Sequence, residues 1–117
     1  MPNRLSNSRI GGAGLIIKGG TATATAGAAT LNADSGKITS ESVTTAAGAT
    51  YTLTLTNANI VATSLVLCSV TTAGTGTPAI TKVTPAAGSV VIVVQNISAA
   101  TAFNNTLVFS FLVVAQA

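Results

Sequence analysis

The sequence predicts an all-β domain: an antiparallel β-sandwich of Greek-key type, with about eight strands and an extended N-terminal arm. Three observations predict it. Short runs of Thr, Val, Ile and Leu recur along the chain, separated by turn residues at roughly 8–12-residue intervals. The 48% apolar content is mostly Ala and Val, with Tyr51, Phe103, Phe109 and Phe111 as the only aromatics. Small and β-branched side chains of this kind favour strands. Finally, no segment keeps a helical period. The best helix material, Ala22 to Ala29, has Thr at alternate positions and is interrupted by Gly27, so it reads as extended chain or an edge strand.

A chain of 117 residues is expected to form one domain that buries roughly two thirds of its unfolded surface. Residues 1–14 hold Pro2, Asn, Ser and Gly without a period and read as a basic extended arm. Residues 15–117 form the expected sandwich. Its strands fall at about 14–18, 27–32, 36–43, 50–57, 62–71, 79–84, 89–96 and 106–115. Between them stand Gly19-Gly20, Asp34-Ser35-Gly36, Ala47-Gly48, Asn57-Ala58-Asn59, Gly74-Thr75-Gly76, Ala87-Gly88 and Asn104-Asn105. Lys18-Gly19-Gly20-Thr21 is expected to be a turn.

The clearest strand is Thr50 to Thr56, where Tyr51, Leu53 and Leu55 alternate with threonines, the pattern of a half-buried antiparallel strand. Leu65 to Leu67 and Val90 to Val94 are apolar on both faces. They read as central strands, or as strands whose outer face meets another subunit. In the last strand, Leu107, Phe109, Phe111 and Val113 share one face, and Val108, Leu112 and Val114 share the other with Ser110. Such a strand, left exposed, is an aggregation site. Val108, Leu112 and Val114 are therefore expected to mediate self-association, as a homodimer or homotrimer. There is also an internal echo. Thr45 to Ala49 leads into an alternating strand ending at Asn57, and Pro85 to Ser89 leads into another ending at Asn96.

Charge is concentrated at one end. Charged residues make up 6% of the chain, against about 25% in ordinary soluble domains. From Gly19 onward the charged side chains are Asp34, Lys37, Glu41 and Lys82, which cancel. The net +3 therefore resides on Arg4, Arg9 and Lys18. A neutral surface of Thr and Ala suits a protein covered by copies of itself or by a larger assembly. The arm's cations suit an acidic docking partner.

Several function classes lose ground. Acid–base catalysis needs positioned titratable groups, and the chain has no His and only Asp34 and Glu41 as side-chain carboxylates. No catalytic residue, cofactor site or metal site is expected, because Cys68, Asp34 and Glu41 do not form a ligand set. Gly11-Gly12-Ala13-Gly14 lacks the Gly-Lys-Ser/Thr ending of a phosphate loop. Nucleic acid is not an expected partner, since the body has no basic stripe or aromatic platform. Ice binding through Thr rows would need a sustained short repeat, which is absent. Cys68 stands alone in Leu65 to Val70 and reads as buried packing material.

Mean hydropathy is positive, yet no stretch approaches the roughly 18–20 apolar residues of a spanning helix. Leu107 to Ala117 is short and interrupted by Ser110 and Gln116. No membrane partner is expected. The first residues have no apolar core followed by a cleavage site. The expectation is a chain made and kept in a cytoplasm, or in an assembly built there.

Three stretches carry a resemblance: Ala29 to Ser42 (ATLNADSGKITSES), Thr44 to Asn57 (TTAAGATYTLTLTN) and Val83 to Val94 (VTPAAGSVVIVV). Over roughly residues 28–114 the chain resembles capsid decoration (cement) proteins of tailed bacteriophages, which have a jelly-roll fold. The resemblance implies a structural virion protein on the outer surface of a capsid, where it bridges subunits of the major capsid protein. Under it, Arg4, Arg9 and Lys18 become a capsid-docking arm. The alternative is a jelly-roll module of a phage fibre that binds a host glycan.

Overall fold

The computed structural model describes residues 19–114. The arm over residues 1–14 and the strand expected over 14–18 lie outside them. The described chain forms eight strands: β1 (Gly20–Thr23), β2 (Ala28–Thr30), β3 (Ser35–Thr39), β4 (Thr50–Thr56), β5 (Leu65–Thr72), β6 (Pro78–Ala86), β7 (Ser89–Asn96) and β8 (Leu107–Val114). They build two four-stranded sheets, ordered β1-β3-β8-β5 and β2-β4-β7-β6. The fold is the expected all-β sandwich.

Its pairing is mixed rather than wholly antiparallel. β1 pairs with β3 in parallel, and β2 pairs with β4 in parallel, while the other ladders are antiparallel. The reason is the route of the chain. From β1 to β6 it crosses to the opposite sheet at every connection, so strands two apart in sequence return in the same direction. Only β6 and β7 are joined within one sheet as neighbours, through Ala87-Gly88, where Gly88 takes the positive φ of 81° that the turn needs. A period-2 pattern marks a strand but not its direction, so the parallel pairs leave no trace in the sequence.

The core lies between the sheets. The first sheet contributes Ile38, Val66, Leu107, Phe109, Phe111 and Val113. Facing them are Tyr51, Leu53 and Leu55 from β4 and Val90, Ile92 and Val94 from β7. Tyr51 and Phe109 stack across the gap, with ring centroids 6.3 Å apart.

Two sequence expectations need correction. Gly20 and Thr21 are not a turn but the start of β1. Gly20 is opposite Gly36 across the ladder, and Leu31 covers the pair. A Cβ at Gly20 would lie 2.8 Å from Leu31 Cδ1, and one at Gly36 would lie 2.7 Å from Leu31 Cδ2. These glycines make room for a side chain. The strand expected over 36–43 ends at Thr39, because the chain turns inward there. Ser40 is buried, and its hydroxyl accepts from the Leu107 N–H (2.8 Å) and donates to the Glu41 carbonyl (2.6 Å).

The internal echo corresponds to a physical device. Asn57 directly follows β4 and Asn96 ends β7, at opposite ends of their shared antiparallel ladder, and both are fully buried. Each side-chain oxygen accepts from the N–H two residues on, Asn59 and Ser98 respectively. Each side-chain amide donates to a carbonyl of a crossing segment: Asn57 to Ala33 (2.7 Å), Asn96 to Thr45 (3.2 Å) and Thr101 (2.8 Å). Asn96 Oδ1 also accepts from Thr77 N–H (3.1 Å). The glycines of the two turns meet these same ends through backbone bonds, Gly48 N–H to the Asn96 carbonyl and Asn57 N–H to the Gly88 carbonyl.

Truncating either asparagine leaves several buried donors and acceptors unpaired, at about 1–3 kcal/mol each. Asn57→Ala and Asn96→Ala are each expected to lower the unfolding free energy in urea by about 3 kcal/mol or more. Asn59→Ala, at an exposed position, is expected to stay within about 0.5–1 kcal/mol of wild type. Equal effects at all three positions would refute the structural role of the two buried asparagines.

Candidate interaction surface

β8 is the central strand on which the first sheet's outer face is organised. Its inward residues bind the core, so Val108, Ser110, Leu112 and Val114 point outward. The ladders place each beside a neighbour on the same side of the sheet. Val114 stands opposite Leu65, and Leu112 opposite Leu67 on one side and Ser35 on the other. Ser110 stands between Ser69 and Lys37, and Val108 between Thr71 and Thr39. The face therefore consists of rows that run across the strands. Two adjacent rows are apolar at β8 and β5, one is built from serines, and one mixes Val108 with threonines.

The three residues expected to mediate self-association are thus brought to one face. Two more apolar residues join them. Leu65 and Leu67, on the edge strand β5, are 45% and 51% exposed. The sequence marks Leu65 to Leu67 as apolar on both faces, but only the ladder with β8 shows that its outward leucines extend the patch of Leu112 and Val114. Depressions of about 450 and 350 Å³ meet over Ser110, Phe111 and Leu112. The one charge on the outward positions of these strands is Lys37, whose Nζ donates to Ser110 Oγ at 2.9 Å. Arg4, Arg9 and Lys18, the other cations expected to make contacts, lie outside the described residues.

The outer face of the second sheet differs. Thr50, Thr52, Thr54 and Thr56 are all exposed along β4, beside Ser89, Val91, Val93 and Gln95 of β7. Thr30 extends the hydroxyl surface on β2, and Lys82 contributes a cation on β6.

The remaining titratable groups are engaged in structure. Glu41 Oε1 accepts from the Tyr51 hydroxyl (3.0 Å) and from the Gly27 N–H (3.4 Å). Burial, then the hydrogen bond and charge of Glu41, holds the Tyr51 phenol well above its ordinary range. Asp34 Oδ1 accepts from Asn59 Nδ2 at 3.0 Å. Among the described residues no group of three or more Cys, Asp or Glu side chains is placed to hold a metal ion.

Cys68 is half-buried rather than buried. Its side chain lies on the inward side of β5, against the core, but β5 is a sheet edge and leaves one flank open. Desolvation raises the thiol from 9.0 to about 11. The neutral thiol is the favoured folded form, so its contribution to stability is complete below about pH 9 and is lost as the pH climbs toward 11. At pH 8, native Cys68 is expected to react with a maleimide far more slowly than the urea-unfolded chain, on the order of a hundredfold. Comparable native and unfolded rates would show that the thiol is not protected.

Searches of protein-family models, of curated proteins and of solved structures find no match to this chain.

Proposed function

We propose that this protein is a structural virion component that decorates the outer surface of a phage capsid and stabilises it by bridging major capsid protein subunits. The observation that carries the reading is the outer face of the first sheet, where Leu65, Leu67 and Val114 stand in solvent beside a half-buried Leu112 on a body whose charges cancel. A protein that works alone at high concentration gains nothing from such a face. One that is held in an array covers it. The resemblance over residues 28–114 supplies the kind of array.

In this reading the task is thermodynamic. A ligand that binds the assembled shell and not its separated subunits stabilises the shell by mass action. The sandwich contributes a neutral, self-associating body. Arg4, Arg9 and Lys18 contribute the docking charge, matched to carboxylates on the capsid. No catalytic group and no cofactor is needed. The fibre-module alternative wants aromatic platforms for sugar rings, and Tyr51, Phe103, Phe109 and Phe111 are all buried.

The test is decoration itself. Purified protein added to undecorated heads is expected to appear over the whole shell in electron micrographs, and not at the tail alone. Deleting residues 1–12 is expected to abolish most binding while moving the melting temperature little, since every described strand and core residue lies beyond the cut. Arg4→Ala with Arg9→Ala is expected to weaken binding at low salt. Wild type should converge on the variant as salt rises, because exposed charges are screened within about 8–10 Å near physiological ionic strength. Decoration by the truncated protein at wild-type affinity and salt dependence would remove the docking role from the arm.

A further inference from the structure

We infer that the open edge of β5 pairs with the β5 edge of a second copy of this chain, antiparallel about a two-fold axis through Ser69, so that two four-stranded sheets become one continuous sheet. The inference rests on the self-association part of the proposed function and not on the capsid.

Four strands border the two sheets, and three of them are blunted. β1 and β2 are four and three residues long. β6 carries Pro78, Lys82 and Pro85, and its register slips between Ile80 and Lys82. Short strands, proline, lysine and bulges are the means by which sheet edges avoid pairing with other chains. β5 has none of them. It is eight residues long, holds no proline and no charge, and stays in register with β8 from Leu65 to Thr72.

The hydrogen bonds of β8 show which backbone groups of β5 are left over. The Leu107 carbonyl accepts from the Ser40 N–H, and the Val113 N–H donates to the Asp34 carbonyl. Successive residues of a strand direct their N–H and C=O groups to opposite sides. Odd-numbered residues of β8 therefore bond toward β3, and its even-numbered residues bond toward β5. Across the ladder those even-numbered residues meet Leu65, Leu67, Ser69 and Thr71. Val66, Cys68, Val70 and Thr72 are left aiming their N–H and C=O groups at the open side. Among the described residues, no turn, loop or side chain takes these groups up.

The occupant that fits is the same edge of another copy. A charge on β5 would select a partner of opposite charge, and there is none. What the edge offers is main-chain bonding of the kind used in strand addition. Its own counterpart offers the same unbulged row in the reverse direction. With the axis at Ser69, Val66 meets Thr72 of the partner copy, and Cys68 meets Val70 of the partner copy. Each such pair exchanges both of its bonds, so every left-over group is used. An axis at Cys68 would instead set Thr72 against Ser64, which lies outside the strand. On the outward side Leu67 stands beside Thr71 of the partner copy, and no like charges are opposed. Each copy has one such edge, so the assembly closes at two. The outward face of Val108, Leu112 and Val114 stays open and runs on across both copies.

Disulfide trapping tests the geometry on the full chain, in a Cys68→Ala background. The two copies of Ser69 form a non-hydrogen-bonded pair, with Cα atoms about 4.5 Å apart, inside the range of a disulfide. Ser69→Cys is expected to oxidise to a covalent dimer. Leu67→Cys and Thr71→Cys are each expected to stay unlinked alone and to link when mixed. Wild type is expected to stay unlinked, because its Cys68 faces Val70. Sedimentation equilibrium should give a monomer–dimer system that salt leaves unchanged, unlike arm-to-capsid docking. Ser69 is exposed, so Ser69→Lys is expected to keep its circular dichroism and to lose affinity several-fold through opposed lysines. Amide exchange in dilute protein is expected to be fast at Val66, Cys68, Val70 and Thr72, slow at the residues between them, and to slow at those four as concentration rises. A dimer that does not link through Ser69→Cys, or through 67 with 71, uses another surface and overturns the inference. So does a monomer at tens of micromolar. So does protection of the four amides at every concentration, since the chain would then cover its own edge. All of these measurements are made without heads, so their failure and a failure of capsid decoration are told apart.

Discussion

The constraint on which the structure depends is that a chain crossing between two sheets must satisfy its backbone inside the sandwich. An antiparallel meander turns in solvent and leaves its polar groups to water. This chain crosses the core's ends repeatedly, and each crossing brings amides and carbonyls under cover. Asn57 and Asn96 resolve the problem at the two ends of the β4–β7 ladder. Ser40 does the same where β3 leaves the first sheet, with its hydroxyl bonded to Leu107 of β8. Without these groups, each crossing would expose buried amides at a cost of about 1–3 kcal/mol apiece. The parallel pairs β1–β3 and β2–β4 follow from the same crossings.

Once the crossings are satisfied, the division of surfaces follows. β4 and β8 occupy equivalent second and third places in their sheets, and each buries one face in the core. What differs is the opposite face. β4 presents threonines, whose hydroxyls are content in water and whose methyls suit a pleated surface. β8 presents Val108, Leu112 and Val114, and its edge neighbour β5 adds Leu65 and Leu67. An edge strand with outward leucines is the arrangement that soluble monomers avoid. The two faces of this sandwich are therefore unequal in chemistry, and the function proposed here uses that inequality: one face for association, one left to solvent or to a hydroxyl-tolerant neighbour.

Electrostatics has a minor role in the described body, and in the function proposed here the docking charge falls to the N-terminal arm. Within the described residues, Glu41 fixes the Tyr51 hydroxyl and the Gly27 amide, Asp34 holds Asn59, and Lys37 rests on Ser110. None of these groups converges with the others on a cleft. They anchor loops and strands, and in the proposed function attraction at a distance falls to Arg4, Arg9 and Lys18.

The sequence by itself determined the fold class, most strand positions and the inward side of the long strands. It could do so because period-2 alternation is a local property: Tyr51, Leu53 and Leu55 alternate with threonines whatever they pair with, and the expected 50–57 and 89–96 became Thr50–Thr56 and Ser89–Asn96. It also marked Val108, Leu112 and Val114 as apolar residues turned away from the core. Only the tertiary structure decided strand direction, sheet membership and neighbours. Gly20 and Gly36 look like turn residues until Leu31 is seen lying over both. Cys68 looks buried until β5 proves to be an edge. The row of Leu67 and Leu112 beside the row of Ser69 and Ser110 joins residues more than forty positions apart in sequence. Its existence depends on register, which is set by long-range pairing and packing rather than by any local pattern.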